Sequence, residues 1–211
     1  MRELVELKIK PIVIAIDPGV STGFAVMIKN GSFSELCTLS ILTAQDRVAE
    51  IVKCYGLENV LIVFEDCRLR TWVDPKFKKE LIRGVGSVER DCSVWQEFCE
   101  RNGLIFHRAH PSDLAGTNTK KDKWLFAEIT EHPYDTSEHA RDAGMLARKY
   151  HRMLRTGEFV MPAPPKPVIK KYPSNRKLPK KPDKKVKVTA ATAVKKPKPR
   201  TYRARGRQSW K

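Results

Sequence analysis

An α/β domain of five strands followed by a strongly basic tail is the architecture this sequence predicts, and three observations predict it. Two continuous apolar runs, Ile12 to Ile16 and Val60 to Phe64, each stop at a carboxylate. Such runs suit strands buried on both faces of a sheet. Stretches with apolar residues at helical spacing then alternate with short strands. Charge is also segregated along the chain. Met1 to Met161 carries 23 Lys+Arg against 23 Asp+Glu, whereas Pro162 to Lys211 carries 18 Lys+Arg and one acid, Asp183. The whole formal charge of +17 therefore falls on the last fifty residues.

The elements follow in order as β-β-β-α-β-α-β-α-α. Ile12 to Ile16 is the first strand; Pro18, Gly19 and Gly23 punctuate a turn, and Phe24 to Ile28 returns as the second. Asn30-Gly31 makes a hairpin connection to a third strand over Ser32 to Leu42. Ala44 to Tyr55 has helical spacing through Val48, Ile51, Val52 and Tyr55 and stops at Gly56. Val60 to Phe64 is a buried strand, Phe77 to Arg101 a long helix ending at Asn102-Gly103, and Leu104 to His107 the last strand. Lys121 to Glu131 is a short helix and Glu138 to Thr156 the final one, closed by Gly157.

The segment from Pro162 carries nine of the 14 prolines and few large apolar residues. It cannot bury enough surface to offset its ordering entropy, so a disordered, nucleic-acid-binding tail is expected over residues 162–211. Residues 1–161 make one ordinary domain. No apolar run reaches the roughly 18–20 residues of a membrane span, and Met1 to Lys10 lacks a signal-peptide core. Cys37, Cys54, Cys67, Cys92 and Cys99 are odd in number and contain no C-x-x-C. Free thiols in a reducing, cytoplasmic setting are the expectation.

The chemistry is carried by acids. Asp17 ends a buried strand, where ligands of open α/β sheets collect; ordinary turn chemistry of Asp-Pro-Gly is the plain alternative. Asp-x-Gly-x-Ser-Thr-Gly also resembles the first phosphate loop of actin-like kinases and chaperones, but those need two such domains and a far longer chain. Glu65 and Asp66 end the second apolar run; Glu65 is preferred and Asp66 is the fallback. Asp135-Thr-Ser-Glu138 is a capped helix start, and His139 and Asp142 stand at i and i+3 in the first turn. Helix-dipole complementarity accounts for Glu138 better than for a His on the face of Asp142. Three separated carboxylates and an imidazole suit a divalent metal that keeps positions open for phosphate and water.

In this order the stretch from about Val13 to Met153 resembles the RuvC-type Holliday junction resolvases of the RNase H-like superfamily. The carriers are Asp17, Glu65, the His139–Asp142 pair followed by Ala143, Arg83-Gly84, Pro111-Ser-Asp-Leu, Gly116, and the lysines of Thr119-Lys-Lys-Asp-Lys123. The family often has Asp where His139 stands, and His is a known variant there. The resemblance implies an RNase H-like mixed five-stranded sheet flanked by helices. It implies metal ligation by Asp17, Glu65, His139 and Asp142, with two Mg²⁺ per site and Mn²⁺ able to substitute. It implies catalytic roles for these four together with Lys121 and Lys123, and paired nicks at four-way and branched DNA that leave 5′-phosphate ends. A homodimer would match the symmetry of the junction. No membrane and no small-molecule cofactor are called for.

Two features depart from the family. The region after Glu65 is unusually basic, with Arg68, Arg70, Lys76, Lys78 and Lys79, and carries Trp72. The tail has no bacterial counterpart, which points to a divergent, viral (phage) member. DNA contacts are expected from those five residues together with Trp72, Arg83 and Lys120. Trp72 reads equally as a partly buried anchor or as a stacking platform for unpaired bases. His107 and His110 are expected to be structural. The alternative function is an RNase H-like nucleic-acid-binding protein, non-catalytic or RNA-directed, that acts mainly through its tail.

Overall fold

A computed structural model describes residues 11–70, 79–114, 118–132 and 135–166. Five strands form one sheet: β1 (Ile12–Asp17), β2 (Thr22–Met27), β3 (Phe33–Leu39), β4 (Val60–Glu65) and β5 (Phe106–Ala109). Their spatial order is β3-β2-β1-β4-β5. β1 to β3 form an antiparallel meander, and β4 and β5 run parallel to β1. The helices are α1 (Ile41–Tyr55), α2 (Lys79–Asn102), α3 (Lys123–Thr130) and α4 (Glu138–Thr156). This is the mixed five-stranded sheet flanked by helices expected of an RNase H-like domain.

Strand alternation divides the core between two faces. Ile12, Ile14, Ile16, Val60, Ile62 and Phe64 pack with Val48 and Ile51 of α1 and Trp95 of α2. Val13, Ala15, Ala25, Leu61 and Val63 pack with Ala143, Leu146, Ala147 and Tyr150 of α4. Alanines on both sides of the second interface let α4 lie close to β1 and β2. Gly144 belongs to the same design, since a Cβ there would come within 2.9 Å of the Phe126 ring of α3 and 3.1 Å of Leu36.

Local chemistry sets the boundaries. The hairpin at Asn30-Gly31 forms as expected: Gly31 takes φ 90°, and the Asn30 side chain accepts from the Ser32 amide and hydroxyl. The third strand stops at Leu39 because the Ser40 side chain accepts from the Thr43 amide and starts α1 three residues earlier than the apolar pattern shows. β5 begins at Phe106, two residues later than expected. Leu104 instead donates its amide to Cys99 O, closing α2 behind Gly103. Gly23 is not a turn residue: it lies inside β2, paired with Asp17. α4 has the predicted bounds, with Ser137 capping its start and Gly157 in the left-handed region at its end.

Candidate active site

Alternation also aims the acids. Asp17 continues the face of Val13 and Ala15, and Glu65 continues that of Leu61 and Val63, so both turn toward α4. Ile16 and Phe64 are register partners in the parallel pair, which sets the two strand ends side by side. The first turns of α4 arrive above them. Ser137 caps that end and also bonds its hydroxyl to Thr38 of β3, tying the helix start to the sheet. His139 Nδ1 donates to Asp17 Oδ2 at 2.8 Å. Asp142, one turn on and largely buried, receives the ammonium of Lys120 from the single turn Asn118–Lys120.

The electrostatics follow from this convergence. Burial pushes the Glu65 carboxyl up to about 7, and the charges of Asp17 and Asp142 push the same way; Arg70 and Lys120 only partly oppose them. Asp17 is raised as well, again by burial first, against the His139 bond and Lys120. Burial works against the Lys120 ammonium, but Asp142, Asp17 and Glu65 together raise it above its ordinary value. One lysine is therefore counterion to three acids. Behind Glu65, the Cys92 thiol donates to its carbonyl at 3.5 Å and, pushed up to about 12 by burial, is a neutral packing group.

Asp66 has a different job. It falls on the opposite face, fully buried, and accepts from the Arg68 guanidinium at 2.7 Å and the Arg108 guanidinium at 3.4 Å. Burial alone would raise it, yet its bonds to Arg68 hold it below the usual carboxylate range. Arg68, expected at DNA, is thus committed to Asp66, Ser93 and Gln96. Arg70 does turn to the site, 4.0 Å from Glu65. Of the lysines, it is Lys120 that meets the acids. Lys121 is exposed, and Lys123 stands 3.5 Å from Asp135 and over the Trp124 ring. Asp113 of the Pro111–Leu114 turn is structural, accepting from the Tyr150 hydroxyl and Lys149. His107 packs against Tyr150 and Phe159, and His110 bonds Ser112. Trp72, Lys76, Lys78, Gly116 and the tail from residue 167, together with the side chains of Lys79 and Arg83, lie outside the described residues.

No family model matches this chain, and no curated protein matches it in sequence. Among solved structures it is similar to RuvC of T. thermophilus, in a complex with a Holliday junction substrate. The two are 15% identical, with a TM-score of 0.46, and the match covers 69% of this chain and 96% of that one.

Sequence reasoning missed three contributors. Gly23 lies so close under α4 that a Cβ would stand 2.0 Å from His139 O and 3.0 Å from the Asp17 Cβ, a closeness that no local sequence pattern signals. Trp124 is 77% exposed just beyond the Lys120 turn. Arg141, 5% exposed, gives its guanidinium to main-chain carbonyls.

The donor set fits a hard divalent cation, with carboxylate oxygens from two strands and a helix plus one imidazole. Among the described residues, no group of three or more His, Cys, Asp or Glu side chains is arranged to hold a metal ion. Lys120 and Arg70 stand against the acids instead, and His139 bonds Asp17. Glu65 is raised by burial first and by the charges of Asp17 and Asp142 second, and added positive charge would oppose both.

Proposed function

We propose that this protein is a Mg²⁺-dependent endonuclease that resolves four-way and other branched DNA by paired nicks, acting as a homodimer and leaving 5′-phosphate ends. The observation that carries the reading is the meeting of Asp17 and Glu65, from adjacent strand ends, with His139 and Asp142 of one helix turn. These four residues would hold Mg²⁺, which supplies charge for the phosphate and acidity for the attacking water.

The chain's own groups do the rest. Lys120 is half exposed while paired, so its ammonium can turn from Asp142 to a phosphate oxygen once other charge neutralises the acids. The His139–Asp17 bond fixes the imidazole over the strand end, where its Nε2 can hold or pass a proton. Glu65, raised to about 7, would bind a cation in competition with its own proton, and more readily as pH rises. Lys121, Lys123 and the exposed Trp124 line the approach with cations and a stacking surface for an unpaired base. The basic segment after Pro162 would supply affinity for any DNA backbone.

Incubating a labelled four-way junction with the protein in Mg²⁺ or in EDTA tests this. Symmetric nicks in Mg²⁺ alone are expected. Binding without nicks would select a non-catalytic nucleic-acid-binding protein.

A further inference from the structure

Arg141 precedes Asp142 on α4 and is 5% exposed. Such depth is costly for a guanidinium unless its donors are satisfied. Here they go to main-chain oxygens. Nε donates to Thr119 O at 3.0 Å and to Lys120 O at 2.9 Å, Nη2 donates to Lys120 O, and Nη1 donates to Thr136 O. One planar fork thus joins the turn Asn118–Lys120 to the segment just before the Ser137 cap.

Among the described residues, the turn's other main-chain hydrogen bonds are local: Lys121 and Asp122 donate their amides to Asn118 O. Thr119 is fully buried against α4, yet its hydroxyl finds no hydrogen-bond partner. Arg141 is therefore the tie between the main chain of this turn and the helix that carries His139 and Asp142, beside the side-chain pair Lys120–Asp142. Lys120 is gripped at both ends by consecutive residues of α4, its carbonyl by Arg141 and its ammonium by Asp142.

We propose that Arg141 is a positioning residue for the site, fixing the Lys120 main chain so that the ammonium lands among the three carboxylates. Its effect on cleavage rests on the nuclease reading; the positioning itself does not. A lysine at 141 offers one compact ammonium and cannot serve all three carbonyls with the spread of the guanidinium fork.

Amine footprinting of the full-length, metal-free protein tests this without any need for activity. The protein is labelled with an amine-reactive ester near neutral pH, and mass spectrometry gives the rate at Lys120 relative to its exposed neighbour Lys121. Lys120 should label slowly in the natural protein. Asp142→Asn, which removes its partner, should raise the ratio by about fivefold, as expected for a half-exposed ion pair. Arg141→Met should raise it by the same factor, and adding Asp142→Asn to Arg141→Met should raise it no further. Arg141→Lys should give an intermediate ratio, and it decides the matter if the Met variant does not fold. A folded Arg141→Met, or failing that a folded Arg141→Lys, with the natural Lys120 ratio would overturn the proposal. Altered ratios in a protein that never cuts junctions would leave the positioning intact and remove the nuclease.

Discussion

A Cβ placed on Gly23 would stand 2.0 Å from the carbonyl oxygen of His139. The first turn of α4 therefore rests on the bare backbone of β2, directly beside Asp17, and the His139–Asp17 bond depends on that approach. Gly23→Ala must lift the helix start. We expect a loss of about 1–3 kcal/mol in stability, typical of an overpacked site. Mg²⁺-dependent cleavage should fall at least tenfold. Ala at Gly84, where the same construction meets nothing within 4 Å, should leave both unchanged. Thermal melts and junction nicking of the two variants make the comparison.

Glu65, the last residue of β4, and its neighbour Asp66 should separate by phenotype. Asp66→Ala strands the Arg68 and Arg108 guanidiniums around a buried gap and should cost about 3 kcal/mol, as breaking a buried pair does. What remains folded should still bind and use Mg²⁺. Glu65→Gln should keep or gain stability while cleavage drops by at least about 10²-fold, the scale of lost metal-site function. Denaturant unfolding and nicking rates check both, and the reverse pattern would exchange the roles of the two residues.

Glu65 also gives a pH signature. Its folded value, about 7, lies above its ordinary 4.5, so between these limits the folded state binds more protons than the unfolded chain. Stability of the metal-free protein should then fall as pH rises through this window and level off above it. Asp66 and Asp113 are depressed and already ionised throughout, so they add no slope there. His107 and His132, both lowered by burial, push the other way below their ordinary value. The clean reading is the natural protein minus Glu65→Gln. That difference should decline between about pH 5 and pH 7.5, and Mg²⁺ should offset it only at the upper end. A flat difference would mean that Glu65 is neither desolvated by burial nor crowded by Asp17 and Asp142.

Much of this arrangement is legible in sequence because it rests on short-range rules. The bounds of α4 follow from Ser137 and Gly157, and the apolar runs of β1 and β4 announce buried strands that end in acids. Strand alternation alone separates Glu65 from Asp66, since Glu65 shares a face with Leu61 and Val63, and Asp66 shares one with Ile62 and Phe64. The rest depends on contacts between distant segments. Nothing local distinguishes Lys120 from Lys121 or Lys123. The choice is made by a turn held to α4 through Arg141, whose partners are main-chain oxygens and so leave no pattern of residue types. Gly23 reads as turn punctuation because its neighbour in space, His139, is more than a hundred residues away in the chain.

The basic segment should act separately from the site. Deleting Lys166 to Lys211 removes the whole formal net charge of +17 and none of Asp17, Glu65, Lys120, His139 or Asp142. Cleavage should persist, while affinity for junction and plain duplex falls together. The slope of log K against log salt should become shallower by about 0.9 for each phosphate no longer neutralised. Preference for the junction should rise, because the lost contacts read charge rather than shape. An unchanged slope would place DNA binding elsewhere.

In the proposed site, Asp17, Glu65, His139 and Asp142 would together hold one cation cluster, with Lys120 as the resident counterion. Calorimetric titration of Mg²⁺ into the full-length protein, about one unit above the Glu65 value, tests it most directly. Saturable binding is predicted, weakened by at least about tenfold in Asp17→Asn and in Asp142→Asn and strengthened when Lys120→Met removes the resident charge. Binding that is indifferent to all three substitutions would contradict the account.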